Sequence, residues 1–394
     1  MGVEDAGRDD ETHGGQIAPP PPIETDAASL RAAFGGDGPF TVGVEEELMT
    51  LDPDTLDLAP VAAAVIEAAS ADGLVKGELP AAQLETVTAP AATVAEVAAQ
   101  LAERRRLVAR ACAGIATPAA GAVHPFADPR GVVSESRRYQ ATTVEYGEVA
   151  RLQLVFGLHV HVRAPGVERA LAVYNALRSY LPEIAALAAN GPFVAGRDSG
   201  MASVRPKISE LLPRQGVPPA LASWDEYADA FAWGATSGAF DHPRGWWWEL
   251  RPHPGYGTLE LRVPDQQTTV AESAAVAALA QSLVAWLAER HDAGEPLVVH
   301  PTWKIEQNRW SAARHGLSGT LGDLESGEPR ATRERIAQLI ERLKPVAARL
   351  GCARELADAG TLAAAGGAER LRAAAEGDPR LAAGWLAERF LTGA

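Results

Sequence analysis

The chain has 394 residues, 47% of them hydrophobic and 22% charged, with a formal net charge of −15. This is the balance of a globular protein of one large or two ordinary domains, and its acid excess argues against nucleic acid and anionic membrane as partners, since both need clustered Lys and Arg. The two cysteines, Cys112 and Cys352, lie in Ala-rich helical patterns with no CxxC or Cys/His spacing, which excludes a disulfide scaffold or zinc knuckle and reads as two buried thiols.

Residues 1–36 combine charge, glycine and the run Pro19–Pro22 with almost no aromatics, and are expected to form a disordered acidic tail. The tail has no apolar signal segment, and no run of about 18 apolar residues follows, so the cytoplasm is the expected compartment. Phe40–Leu51 reads as a strand, Pro60–Ala71 as a helix, Gln83–Val87 as a short strand and Ala91–Ala113 as a long amphipathic helix. Ala119–His124 follows as a strand, Ser134–Arg151 as a helix, Leu152–Arg163 as the longest strand, and Val167–Tyr180 and Pro182–Asn190 as helices. The Gly-, Pro- and Arg-rich stretch Gly191–Pro219 reads as a functional loop holding a short helix. Trp246–Arg251 and Gly257–Val263 read as strands paired across a Pro/Gly turn, with Trp246–Trp248 as packing and a cavity wall. Glu272–His291 is a helix, and the chain beyond Ile305 is helical. No repeat or composition break divides residues 37–394, which are taken as one domain of α+β class with a mainly antiparallel sheet.

Three of these strands carry functional pairs two residues apart: Glu45 and Glu47 in GVEEEL, His159 and His161 in GLHVHV, Glu260 and Arg262 in GTLELRVPD. Strand side chains alternate, so each pair shares a face at roughly 6.5–7 Å, while Val42, Val44, Leu48, Leu158, Val160, Val162, Leu259 and Leu261 fall on the other. One sheet can thus bury its apolar face under helices and turn carboxylates, imidazoles and guanidinium toward a cavity. Two carboxylates on one strand face repel unless a cation sits between them, although a solvated edge strand remains the ordinary alternative. Glu46 points the other way and reads as structural. Glu85 in QLETVT and Glu260 add carboxylates, and such oxygen donors suit Mg²⁺ or Mn²⁺. His159-Val160-His161 resembles a zinc-hydrolase His-x-His, but no further His or Asp follows at metal spacing, so a mixed carboxylate/imidazole magnesium site fits better than zinc. Arg262 stands beside Glu260, and Arg251 beside Glu249. An arginine among carboxylates is what phosphoryl transfer needs; a surface salt bridge is the plainer reading. The chain has neither GxxxxGK(S/T) nor GxGxxG after a strand, so a nucleotide would be held by metal and sheet.

GVEEEL, QLETVT, GLHVHV, RDSGMASVR, WWELRPHPGYGTLELRVPD and NRWSAARHGL, in this order over roughly residues 40–390, resemble the bacterial carboxylate–amine ligases related to glutamate–cysteine ligase. The resemblance implies a glutamine-synthetase-like fold, a curved antiparallel sheet forming a funnel with helices packed outside, and a single catalytic domain over residues 37–394. It implies an ATP- and Mg²⁺-dependent amide-forming reaction between an amino-acid carboxylate, usually the γ-carboxylate of glutamate, and an amine, through an acyl phosphate. It places metal ligands at Glu45, Glu47, Glu85, His159 and Glu260, the transition-state arginine at Arg262 with Glu260 beside it, and substrate contacts at Arg205, Arg251, His161 and Asn308. It also implies a homo-oligomer.

Four positions depart from the family pattern: Met201 and Val204 stand where tyrosines are usual, Arg163 where a small residue follows HVHV, and Gln307 where a glutamate precedes Asn308. These cluster near expected substrate loops and leave the metal positions intact, which points to a specialised acid or amine. A metal-dependent amide hydrolase using the His-x-His and carboxylates, and a silent homologue, are the competing readings.

Overall fold

The computed structural model describes residues 23–70, 73–240 and 242–394. The alternating runs found in the sequence become one antiparallel sheet built from β1 (Val42–Leu51), β2 (Val75–Gly77), β3 (Gln83–Val87), β4 (Thr117–Ala119), β5 (Leu158–Arg163), β8 (Leu250–His253) and β9 (Thr258–Leu261), while β6 (Phe193–Val194) and β7 (Arg197–Asp198) form a separate hairpin. The order is β2-β3-β1-β5-β9-β8, with β4 also on β1, so the sheet is open rather than closed into a barrel. Pro252 is tolerated because β8 is an edge strand, where a missing N–H breaks no ladder bond.

The expected division of faces is present. Val42, Val44, Leu158, Val160, Val162, Leu259 and Leu261 are fully buried in one core with the helices Val167–Leu177, Leu181–Ala188, Val270–Asp292 and Ala353–Ala364. Val270–Asp292 starts at a capping box in which Thr269 and Glu272 satisfy each other's backbone N–H, fixing where this helix enters the core. By length and composition it is also apolar enough to cross a membrane, with mean hydropathy 1.5, but 83% of that window is buried against the protein. Of the Trp246–Trp248 run, Trp246 packs among Tyr227, Phe231 and Phe240.

Glu46 turns from its neighbours into this core. Arg105 and Glu46 are both 0% exposed; Arg105 donates Nε (2.9 Å) and Nη2 (2.6 Å) to the carboxylate and its remaining N–H groups to the carbonyls of Gln267, Thr268 and Phe390. Gln266 and Ser273 also donate to Glu46. A buried charge pair is tolerated only when its other hydrogen-bonding capacity is met in this way.

Several boundaries differ from expectation. The Leu152–Arg163 strand is regular only from Leu158, because the preceding residues leave the ladder: Phe156 N–H bonds Ala122, and Gly157 bridges Asp265. The helix expected over Ser134–Arg151 splits at Gly147 into Arg137–Tyr146 and Glu148–Arg151. The expected tail needs the larger correction. Residues 1–22 lie outside the described residues, but Ala27–Ala33 is a helix capped by Asp26, with Leu30 and Phe34 buried. Phe34 stacks on Trp224 at 4.8 Å, and Arg31 pairs with Asp225. Two apolar residues at i and i+4 sufficed to dock this short helix onto Trp224–Ser237, a signal diluted by the surrounding Gly and Pro.

Candidate active site

The antiparallel register assembles the polar face in rows. Glu47 lies opposite Glu85, Glu45 opposite His159, and His161 opposite Glu260, which in turn faces Arg251. All eight residues singled out on strands therefore share one face, with Arg262 two residues from Glu260. The donor atoms of Glu45, His159 and Glu260 all lie within 4.8 Å of one another, the candidate cation-binding group among the described residues.

Within this group His159 Nδ1 is 3.1 Å from Glu45 Oε2, His161 Nε2 is 3.4 Å from Glu45 Oε1, and His159 Nε2 is 3.8 Å from Glu47 Oε1. Glu260 is gripped by two arginines: Arg251 reaches both oxygens (2.5 and 3.0 Å) and Arg262 Nη1 reaches Oε1 (2.6 Å). A carboxylate offers about four lone-pair sites, so three guanidinium contacts still leave room on Oε2 for one more partner. Glu47 accepts from the backbone N–H of Gly157, and Glu85 has Lys76 at 3.5 Å.

Charge states follow from burial and neighbours. Burial raises Glu45, but His161 and the His159 hydrogen bond outweigh it and hold the carboxyl well below the usual range. Glu260 is likewise held well down, because Arg251, His161 and Arg262 overcome burial. Glu47 goes the other way, pushed by burial up to about 7 despite Arg205. Burial, Glu45 and Glu78 push Glu85 well above its ordinary value. His159 is driven down to about 4 by burial and then by Arg262, so it is neutral with a free lone pair. Burial and like charge thus both favour the neutral form of Glu85, and burial favours that of Glu47. Three to four carboxylates with a neutral imidazole form a hard, mostly oxygen donor set, which fits Mg²⁺ or Mn²⁺.

Arg205, from the loop motif, opens a short helix and lies against the same face, donating to the carbonyls of Val263 (3.4 Å) and Arg262 (3.2 Å), with Asp265 at 3.8 Å. Gly157 lies beneath it, where a Cβ would press on the Arg205 guanidinium and crowd His159 Nε2, so that a larger residue would shift these side chains. Two of the residues expected to contact substrate make extensive contacts within the protein. Arg251 donates Nε and one Nη2 N–H to Glu260 and Nη1 to the carbonyls of Pro243 and Trp246, which holds Glu260 in place. Asn308 uses one N–H and its carbonyl oxygen on the backbone of Gly322 (2.7 and 2.8 Å), which clamps a hairpin and leaves one N–H donor. The residue beside it, Arg309, pairs with buried Glu249, whose carbonyl accepts the Arg262 N–H. Glu78, Gly157, His253 and Arg309 were missed in the sequence. Only His253, two residues after Arg251 on a strand, had a periodicity signal there.

The family profile described as "Glutamate-cysteine ligase family 2(GCS2)" matches residues 41–383. The chain belongs to this family. It is 40% identical over 370 residues to "Putative glutamate--cysteine ligase 2-3" of Rubrobacter xylanophilus, covering 91% of this chain and 99% of the relative. It is 35% identical over 328 residues to "Putative glutamate--cysteine ligase 2" of Thermobifida fusca, covering 80% and 81%. The fold is that of a crystallised Francisella tularensis glutamate–cysteine ligase in complex with AMP (TM-score 0.65, 11% identity, 90% of each chain) and of a Pasteurella multocida bifunctional glutathione synthetase (TM-score 0.64, 14% identity, 92% of this chain and 53% of that one). The protein is therefore a carboxylate–amine ligase by family, a C–N bond-forming enzyme, which decides against the hydrolase reading of His159 and His161.

Proposed function

We propose that this ligase uses ATP and Mg²⁺ to convert an amino-acid carboxylate, of which the glutamate γ-carboxylate is the leading candidate, into an acyl phosphate that an amine then captures. The observation that carries this reading is the convergence of Glu45, His159 and Glu260 within 4.8 Å beside an arginine that Glu260 itself holds. The Francisella tularensis neighbour with AMP supports nucleotide use.

In the reaction, a carboxylate oxygen of the acid displaces ADP from the γ-phosphorus. The amine nitrogen then adds to the acyl carbon, loses a proton, and phosphate leaves. A divalent cation bound by Glu45, His159 and Glu260, with Glu47 and Glu85 alongside, would neutralise phosphate charge. Arg262 is 22% exposed at its side chain and fixed by Glu260, so its outer N–H groups are aimed without reorganisation at charge on the transferred phosphoryl. Arg205 supplies a cation for the acid, and His161 remains at the cluster's edge with Nε2 lacking a hydrogen-bond partner. No covalent enzyme nucleophile is required; catalysis is positioning plus electrostatics. A cytoplasmic homo-oligomer completes the proposal, on the family resemblance.

The test is release of ADP and phosphate from MgATP with glutamate and a panel of amines including cysteine. Amine-dependent turnover is expected, and the best amine names the acceptor. Glutamate plus cysteine as the best pair would overturn a specialised substrate. Phosphate release independent of any amine would indicate an acyl-phosphate kinase, and failure to bind MgATP would return the silent-homologue reading.

A further inference from the structure

Beyond the cation group, the same sheet face ends in rings. His253 lies opposite Thr258 on β9, and Thr258 lies opposite Arg163 on β5, so this is the next row after Arg251, Glu260 and His161. Tyr256, in the turn between β8 and β9, stacks flat on His253 with ring centres 4.4 Å apart and planes at 10°. Both rings meet His161 edge-on at 5.6 Å. We propose that Tyr256 and His253 form the subsite for a planar aromatic ring, the purine base of the nucleotide; this rests on the nucleotide-dependent reading above.

Three observations carry it. Tyr256 is 61% exposed despite its two ring contacts, so it buries little and offers open aromatic surface instead of filling a core. His253 is only 7% exposed, yet its Nδ1 has no hydrogen-bond partner. A buried polar nitrogen without a partner is costly, and a hydroxyl group of the ligand, reaching past the edge of Tyr256, would satisfy it. The turn is also held in place: the N–H groups of Tyr256 and Gly257 bond the His253 carbonyl at 3.2 and 3.0 Å, Ile23 packs at Gly255, and the Ala33 carbonyl lies against Gly257. The N-terminal helix thereby fixes a stacking surface in advance of binding.

Position selects the base over the acceptor amine. His161 is the bridge, with its ring against Tyr256 and His253 and its Nε2 3.4 Å from Glu45. Along β9 the steps Thr258 to Glu260 to Arg262 span roughly 13–14 Å. The ring pair thus lies at one end, the cation group in the middle, and Arg262 with Arg205 at the other. A nucleotide laid along this line puts its base on Tyr256 and its terminal phosphate toward Arg262, where the acid must be. The amine must approach the acyl carbon at that far end.

The test is calorimetric titration of the full chain with MgADP and, separately, with magnesium tripolyphosphate, which lacks a base. Tyr256→Ala is expected to weaken MgADP by about tenfold, the scale of one lost base–aromatic stack, and to leave tripolyphosphate unchanged. Tyr256→Phe, which keeps the ring, is expected to bind MgADP as the unaltered protein does. Equal weakening of both ligands, or no effect on MgADP, would overturn the subsite. So would an unchanged MgADP affinity with a raised KM for an aromatic amine, which would give the platform to the acceptor. Failure of the unaltered protein to bind either magnesium polyphosphate would instead bring down the nucleotide reading, and the subsite with it.

Discussion

Three successive glutamates separate stability from function in a way that can be measured. Glu46→Gln keeps the side-chain shape but leaves the guanidinium of Arg105, 0% exposed, without its counter-charge. Removing one partner of a buried ion pair costs about 3–5 kcal/mol. An unfolding entropy of about 2.1 cal/mol/K per residue over roughly 370 described residues gives about 0.8 kcal/mol/K, so about 4 kcal/mol corresponds to a Tm lower by about 5 °C. Glu45→Gln, one residue away, loses a charge-assisted hydrogen bond to His159 worth about 1.5–3 kcal/mol, or about 2–4 °C, and this is partly offset because Glu45 repels Glu85 and Glu260. Scanning calorimetry should therefore show a clear Tm loss for Glu46→Gln with substantial activity retained below the transition. Glu45→Gln should lose less Tm than Glu46→Gln and lose turnover and cation binding. Equal Tm losses in both, or an inactive Glu46→Gln with an unchanged Tm, would refute the assignment of faces.

Other expectations follow from the same geometry. Arg262→Lys keeps the charge but not the planar contact with Glu260, and should lower the chemical step by about 10²–10³; a single-turnover rate equal to that of the parent would remove Arg262 from the mechanism. Glu47 is pushed up to about 7, so below that pH a cation must displace its proton. The rise in Tm on adding Mg²⁺ should therefore grow between about pH 6 and 8, and Glu47→Gln should flatten that dependence; a flat profile in the parent would exclude Glu47. His124, His159 and His253 are each driven by burial down to about 4, so the unfolded chain takes up their protons first. Their contribution to stability should be complete above about pH 6.5 and lost as pH falls toward 4, visible as a falling Tm; a Tm constant over that range would contradict neutral, buried rings. Deleting residues 2–36 removes Leu30 and Phe34, each worth about 1.5–3 kcal/mol on burial, and should lower Tm by about 4–8 °C on the same conversion; an unchanged Tm would restore the reading of a dispensable tail.

The sequence by itself determined the sheet face. Period-two alternation in GVEEEL, GLHVHV and TLELR assigns Glu45, Glu47, His159, His161, Glu260 and Arg262 to one side and Glu46 to the other, because strand pleating admits no other arrangement. Motif order was enough to give the family. Register was decided only in three dimensions, because it depends on which strands pair. It puts Glu45 beside His159 and sets Glu260 between His161 and Arg251. Side-chain use was also hidden. Nothing local distinguishes Arg251, which grips both oxygens of Glu260, from Arg262, which touches one and keeps outer donors, or shows that Asn308 clamps Gly322. The helix Ala27–Ala33 could be seen only with its partner, since Phe34 at its end gains burial from Trp224, 190 residues away in sequence. Local pattern determines the direction a side chain takes from its own strand or helix, and the folded contacts decide what it meets.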